Sequence, residues 1–298
     1  MGSDGHVSIG LKPWPQDAEW ATLDAVWAAA GELDAFDAVW GNDHLTDPNL
    51  AHGGSSVEAM TMIAALAHHV PGKWVGHTVL SNTFRHPAVL AKAATLLDHA
   101  TGGRFILGLG AGWHEGEHAA YGIPLPPIGE RMSRLESAVR VVRALHSPAA
   151  ATDAGVSLDD PYYPLRNAVN LPPPVTPGGP PIWLGGQKPR GLRMAAALAD
   201  GWATPALPQP ETAYLTERRT TILREMEAIG RDPSGFAFGA QIATGEDATS
   251  RAAARDLALA FARAGASHII LGMAARLGPD TVQAIARDVA APLREALG

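Results

Sequence analysis

The residues able to do chemistry in this chain gather in short runs, each closing a β-rich stretch. Val39-Trp40-Gly41-Asn42-Asp43-His44 sets a carboxylate beside an imidazole. An imidazole exchanges a proton near neutrality, which suits His44 as the acid/base that accompanies hydride transfer to or from an alcohol or carbonyl. Asp43 stands next to it to tune or orient the ring; the plainer alternative is a capping Asp followed by a partly buried His. Gly103-Arg104-Phe105-Ile106-Leu107-Gly108-Leu109-Gly110-Ala111-Gly112-Trp113 runs from a buried-strand signature into alternating glycines. Backbone without Cβ atoms can approach a planar ring or a phosphate, so Gly110, Ala111 and Gly112 are candidate cofactor contacts, with a tight ligand-free turn as the alternative. In His77-Thr78-Val79-Leu80-Ser81, β-branched residues give way to small polar ones before a helix opening at Pro87. Thr78, Val79, Leu80 and Ser81 can present backbone and hydroxyl groups to the edge of a heterocycle, although an ordinary strand-to-helix loop explains the same residues.

Ile182-Trp183-Leu184-Gly185-Gly186-Gln187-Lys188-Pro189-Arg190 reads as a phosphate cradle. Gly185 and Gly186 expose N–H groups, the following helix start adds partial positive charge, and Lys188 or Arg190 adds a full one. A glycine-containing turn without a ligand is the alternative here too. Two decoys need weighing. Gly-x-Gly-x-Gly at 108–112 is not the dinucleotide spacing, and a loop containing Gly116 follows it rather than a long helix. His114-Glu115-Gly116-Glu117-His118 matches the His-Glu-x-x-His pattern of zinc proteases, with Glu136 as a conceivable third ligand. Gly116 weakens the helix that such a site requires. His114 and His118 therefore read as cofactor-contacting or surface residues, and no metal is expected.

Such runs need a scaffold that brings them to one rim. Short apolar stretches at Val7–Leu11, Phe36–Trp40, Trp74–Leu80, Phe105–Leu109, Pro181–Leu184, Gly201–Thr204, Phe236–Ile242 and His268–Leu271 alternate with helical periods near 16–31, 55–69, 87–100, 129–146, 189–199, 211–229, 248–264 and 279–296. In the fourth helix Leu135, Val139, Val142 and Leu145 share one face, while Arg134, Glu136, Arg140 and Arg143 stay wet. Eight strand–helix units in 298 residues, 46% of them apolar and 18% charged, point to an α/β fold of the (β/α)8 TIM-barrel type, one domain over 1–298. An open doubly wound sheet has the same alternation. Insertions at 113–128, 147–180 and 205–210 interrupt it; the second is Pro-rich, and its Tyr162 and Tyr163 are placed to anchor a lid over the barrel mouth, with a polyproline surface excursion as the alternative. Cysteine is absent, which excludes disulfide frameworks, thiolate metal sites and cysteine nucleophiles. A net charge of −7 without a basic block argues against nucleic acid and an anionic membrane surface. The start Met1–His6 has no basic and apolar leader, and a cytoplasmic protein is expected.

Taken together, Gly41-Asn42-Asp43-His44, Gly103–Trp113 and Trp183-Leu184-Gly185-Gly186 resemble the luciferase-like monooxygenase superfamily over nearly the whole chain. Leu109-Gly110-Ala111-Gly112-Trp113-His114-x-x-Glu117, then Tyr121-Gly122-Ile123-Pro124, then Glu130-Arg131-x-x-Arg134-Leu135-Glu136, resemble its branch that uses coenzyme F420. Many relatives carry Asn where this chain has His114. The resemblance implies a ring lying across the barrel mouth, with Asp43 and His44 beside its redox face and Gly110–Gly112 beneath or beside it. It also implies a non-proline cis peptide at Thr78-Val79 and a homodimer. Flavin users often show Glu-His-His at the second strand end, so Asp43-His44 is more like the deazaflavin users. Coenzyme F420 is the cofactor implied, with FMN as the alternative; the first restricts the reaction to two-electron hydride transfer and the second also allows oxygen activation.

Overall fold

The computed structural model describes residues 6–49, 54–207 and 209–298; Met1–Gly5, where a leader was sought, and Pro208 of the third insertion lie outside them. The strands, in chain order, are β1 (Ser8–Trp14), β2 (Ala38–Gly41), β3 (Trp74–His77), β4 (Leu80–Ser81), β5 (Phe105–Gly110), β6 (Val156–Leu158), β7 (Leu165–Ala168), β8 (Ile182–Leu184), β9 (Gly201–Ala203), β10 (Ala237–Ala243) and β11 (His268–Ala274). All but β6 and β7 form one parallel sheet that closes on itself: β1 pairs with both β2 and β11, and β3 pairs with β2 and, through Val75 opposite Phe105, with β5. β4 continues the third strand position, and closure excludes the open doubly wound alternative. Parallel strands covered on both faces read as continuous apolar runs, and Phe105, Ile106, Leu107 and Leu109 are fully buried.

Helices α1 (Trp20–Glu32), α2 (Ala59–Leu66), α3 (Pro87–Ala100), α4 (Glu115–Ala120), α5 (Ile128–Leu145), α6 (Pro189–Leu198), α7 (Thr212–Ala228), α8 (Ala248–Arg263), α9 (Pro279–Ile285) and α10 (Ala291–Leu297) surround the barrel, a π turn joining the last two. α5 buries Leu135, Val139, Val142 and Leu145, as its period predicts, while Arg134 pairs with Glu130 and Arg143 with Asp200 on the wet side. No helix among the described residues is long and apolar enough to cross a membrane.

Side chains fill the barrel in layers. Trp40 and Trp183 meet across it with centroids 5.1 Å apart, and each is 1% exposed. Glycines make room for them: a Cβ on Gly10 would lie 2.4 Å from Trp40, one on Gly76 2.9 Å from Trp40, and one on Gly239 2.9 Å from Trp183. Two residues further along each of these strands, on the same inward face, stand Lys12, Thr78 and Gln241. A polar layer therefore lies over the apolar one, toward the C-terminal rim.

Three local expectations need correction. The first and last strands run past Leu11 and Leu271 to Trp14 and Ala274, because their shared ladder continues to Trp14 opposite Ala274. The third strand is interrupted at 78–79, where the Thr78–Val79 peptide is cis. The 147–180 segment is strapped to the outer side of α3 rather than anchored over the mouth. Lys92 Nζ donates to Leu171 O at 2.9 Å, Asn170 to Thr95 Oγ1 at 3.1 Å, and Thr176 N and Oγ1 to Asp98, each at 2.7 Å. Its tyrosines pack at helix starts, Tyr162 under the Arg134 guanidinium in the second turn of α5 and Tyr163 against His86, which caps α3.

Candidate active site at the barrel rim

β2 ends at Gly41, and the chain turns outward through Asn42, Asp43 and His44. His44 Nδ1 donates to Glu117 Oε2 at 2.9 Å, and Glu117 Oε1 accepts the N–H groups of Leu45 (2.6 Å) and Thr46 (3.1 Å). Glu117 is 2% exposed. It reaches His44 because α4 forms despite Gly116: His114 caps the helix, its Nδ1 accepting from Glu117 N at 3.0 Å. Glu117 thereby fixes the tautomer of His44, whose Nε2 is left with a lone pair for a ligand. Trp113, 65% exposed, and His114 pack edge-on against the His44 ring.

Asp43 does not orient His44. Its carboxylate takes a two-pronged ion pair from Arg85, at 2.6 and 2.8 Å, and the N–H of Ser81 at 2.7 Å. Arg85 also binds Glu58, the residue capping α2. Burial pushes Glu58 up, but hydrogen bonds from Thr61 and Arg85 outweigh it and hold the carboxyl at about 2. The adjacency of Asp43 and His44 in sequence misled because neighbours at a strand end point in opposite directions. Glu117 was present in the quoted motif; only the fold makes it the partner.

The second histidine of the His-Glu-x-x-His pattern differs from expectation. His118 is 2% exposed, with Nδ1 donating to His114 O at 2.7 Å and Nε2 accepting from Thr83 Oγ1 at 2.7 Å. Thr83 in turn accepts from Ser81 Oγ at 2.6 Å, so a chain of hydroxyls runs from the rim to His118. His114 uses its second nitrogen on Pro48 O at 3.3 Å, leaving a ring face rather than a nitrogen for any cofactor. Among the described residues no group of three or more acidic or histidine side chains is arranged to hold a metal.

The glycine run is explained first by protein neighbours. A Cβ on Gly110 would meet Val79 Cγ2 at 2.7 Å, and one on Gly185 would meet it at 3.1 Å. Thr78, Val79 and Leu80 thus bulge against β5 and β8, and the glycines admit the bulge. Gly112, at φ +79°, would bring a Cβ within 2.7 Å of both Ser81 and Thr83 hydroxyls, and its carbonyl accepts from Arg131. Ala111 is half-buried between them. Beside α4, a hollow of about 600 Å³ is lined by His118, Ile123, Leu125, Ile128 and Arg131. Another, of about 500 Å³, opens at the opposite, N-terminal end of the barrel and contains none of the rim residues.

At the end of β8, Gly186 takes φ +136° and packs against Gly191 at the start of α6. No side chain caps α6 and Pro189 opens it, so the N–H groups of Arg190 and Gly191 stay free for an anion. Lys188 is exposed there. Gln187 is occupied, donating to Ala203 O at 3.2 Å and accepting from Tyr214 at 3.1 Å. Arg190 turns to Gly129 O and Ser133 Oγ.

Lys12 and Gln241 did not emerge from the sequence as site residues. Lys12, 4% exposed, donates to Thr78 O at 2.8 Å and to Gln241 Oε1 at 2.7 Å, while Gln241 Nε2 donates to Thr204 O at 2.6 Å. Burial lowers Lys12 from 10.5 to about 7. Polar residues within otherwise apolar strands were the signal available.

A closed parallel barrel with its polar groups at the C-terminal ends of the strands is the arrangement of barrel enzymes. The chain matches the luciferase-like monooxygenase family over residues 12–293 and belongs to it, a family of oxidoreductases. The phthiodiolone/phenolphthiodiolone dimycocerosates ketoreductase of Mycobacterium tuberculosis (strain ATCC 25618 / H37Rv) is 31% identical over 229 residues, covering 69% of this chain and 56% of its own. The F420-dependent glucose-6-phosphate dehydrogenase of Nakamurella multipartita is 31% identical over 206 residues, 68% of this chain and 58% of its own. The chain thus spans little more than half the length of these curated relatives. A solved F420-dependent secondary alcohol dehydrogenase, in complex with an F420–acetone adduct, superposes with a TM-score of 0.74 at 19% identity, covering 94% of this chain and 98% of its own.

Proposed function

We propose that this chain, as one barrel domain, transfers hydride between coenzyme F420 and a small organic substrate bearing an alcohol or carbonyl. The observation that carries the reading is the His44–Glu117 pair, 2.9 Å apart at the end of β2. The relatives named for F420 support that cofactor; FMN, with monooxygenase chemistry, is the second reading. The donor set suits such a group: bulged backbone at Thr78–Ser81, the Gly110–Gly112 turn, the His114 ring face and, for a phosphate, Gly185–Lys188 with the uncapped start of α6. When bound, the deazaflavin supplies a two-electron site that accepts or returns a hydride.

The remaining work belongs to the protein. In the direction of alcohol oxidation, His44 Nε2 accepts the hydroxyl proton as the carbon gives up its hydride, and Glu117 balances the imidazolium that results. In the reverse direction the same nitrogen returns the proton to the carbonyl oxygen. Asp43 holds Arg85 and the Ser81 backbone, keeping the bulge in register. Trp113 shields the His44 ring from water. We place the protein in the cytoplasm as a homodimer, with no membrane or nucleic-acid partner.

Replacing His44 by Ala tests the assignment. Hydride transfer to F420, followed by cofactor absorbance, falls by about 100-fold or more while F420 affinity stays within a factor of about three. Parental rates in His44→Ala would remove His44 as the proton carrier.

A further inference from the structure

The polar layer above Trp40 and Trp183 is built from four strand positions. Lys12 comes from β1, Thr78 from the end of β3, Thr204 from the end of β9 and Gln241 from β10. Gln241 is held by Thr204 from two sides, its Nε2 on Thr204 O at 2.6 Å and its backbone N on Thr204 Oγ1 at 3.1 Å. That fixes Oε1 as an acceptor aimed at Lys12. Among the described residues the ammonium makes two hydrogen bonds, to Thr78 O and Gln241 Oε1, and one N–H remains to be offered.

Among the described residues no carboxylate hydrogen-bonds or ion-pairs with Lys12, whose Nζ meets only neutral oxygens, and burial lowers its pKa. A buried cation without a counter-ion is an expensive arrangement unless a ligand supplies negative charge. The carbonyl that Lys12 grips belongs to the Thr78–Val79 peptide, the bulge that faces β5 and β8 at the rim. The ammonium is thus tied from below to the surface offered to a cofactor.

We propose that Lys12 is the cation reserved for the bound ring, its spare N–H binding the negative charge that a deazaflavin or flavin carries after taking up two electrons. The inference rests on the reading of the rim as a cofactor site. It balances the chemistry of that reading: the substrate's proton goes to His44 and its hydride to the ring, so imidazole and ring change charge in opposite directions. Lys12 answers the second change as Glu117 answers the first.

The test is equilibrium binding of oxidised and of reduced F420, and in parallel of FMN, to the parental protein, to Lys12→Met and to Lys12→Gln. Gln keeps a donor toward Thr78 O and serves if the Met variant does not fold. The expected result is that either neutral variant weakens the reduced form at least about tenfold more than the oxidised form, which also lowers the midpoint potential of the bound cofactor. Equal weakening of both forms, or none, overturns the assignment of Lys12 while leaving the cofactor site in place. A parental protein that binds FMN and not F420 overturns the deazaflavin reading, and the same ratio, measured with FMN, still decides Lys12. A parental protein that binds neither overturns both.

Discussion

Substituting Glu117 by Gln removes the charge of the His44–Glu117 pair while keeping its packing. The parental carboxylate is buried, its Oε2 lies 2.9 Å from His44 Nδ1, and its Oε1 accepts two backbone N–H groups. Gln preserves the shape and keeps an oxygen for Leu45 and Thr46, while its NH2 faces His44 Nδ1 and reverses the tautomer, leaving the resting proton on Nε2. It removes the negative charge that faces the imidazolium once Nε2 has taken a proton. With charge centres about 4 Å apart and an effective dielectric of about 20, the lost attraction is about 4 kcal/mol, a factor of roughly 1000 in rate. The same change costs the resting fold only about 1 kcal/mol, because neutral hydrogen bonds replace charge-assisted ones. Glu117→Ala, by contrast, orphans two buried N–H groups at about 1 to 3 kcal/mol each and loosens the 44–46 turn. The assay is single-turnover reduction of F420 across pH, paired with thermal melting. A Glu117→Gln protein that melts within a few degrees of the parent yet turns over within threefold of it would refute the pairing as the source of catalysis.

Two further perturbations separate structure from chemistry. Asp43→Asn strips one carboxylate from a largely buried Arg85 that still has Glu58, costing about 3 kcal/mol in chemical denaturation. Its transfer rate, once the protein is saturated with cofactor, should keep the parental pH profile, because Asp43 does not touch His44; a shifted profile would return Asp43 to the role of orienter. Lys12 links the fold to pH in a known direction. The unfolded chain keeps this proton until about 10.5 and the folded chain releases it at about 7, so folding gains relative stability as pH rises between these values. The gain from this group is up to about 5 kcal/mol, and comparison of urea midpoints at pH 7 and 9.5 in the parent and in Lys12→Met should show a slope that the variant lacks.

The strand–helix alternation of the barrel was legible because its signals are local. Apolar runs of strand length alternate with 3.6-residue periods, and α5 buries the face that Leu135, Val139, Val142 and Leu145 announce. Glycine-rich strand ends likewise marked the rim correctly as the place where backbone is closely approached. The nature of the approach was not legible: the neighbours of Gly110 and Gly185 include Val79, which is remote in sequence from both. Strand ends near Pro13 and Val79 were misjudged because ladder partners, not propensity, decide where pairing stops.

The order of residues along the chain was sufficient for the alternation of strands and helices and for singling out His44 as a candidate, since periodicity, turn chemistry and residue type depend on near neighbours. Which groups His44, Asp43 and Lys12 would meet was decided by closure of the sheet. The His44–Glu117 bond spans 73 residues, the Arg85–Asp43 pair 42 and the Lys12–Gln241 bond 229. Hydrogen bonds and ion pairs act over a few ångströms of space and are indifferent to sequence distance, so these partnerships exist only once the eight strand positions stand in a ring.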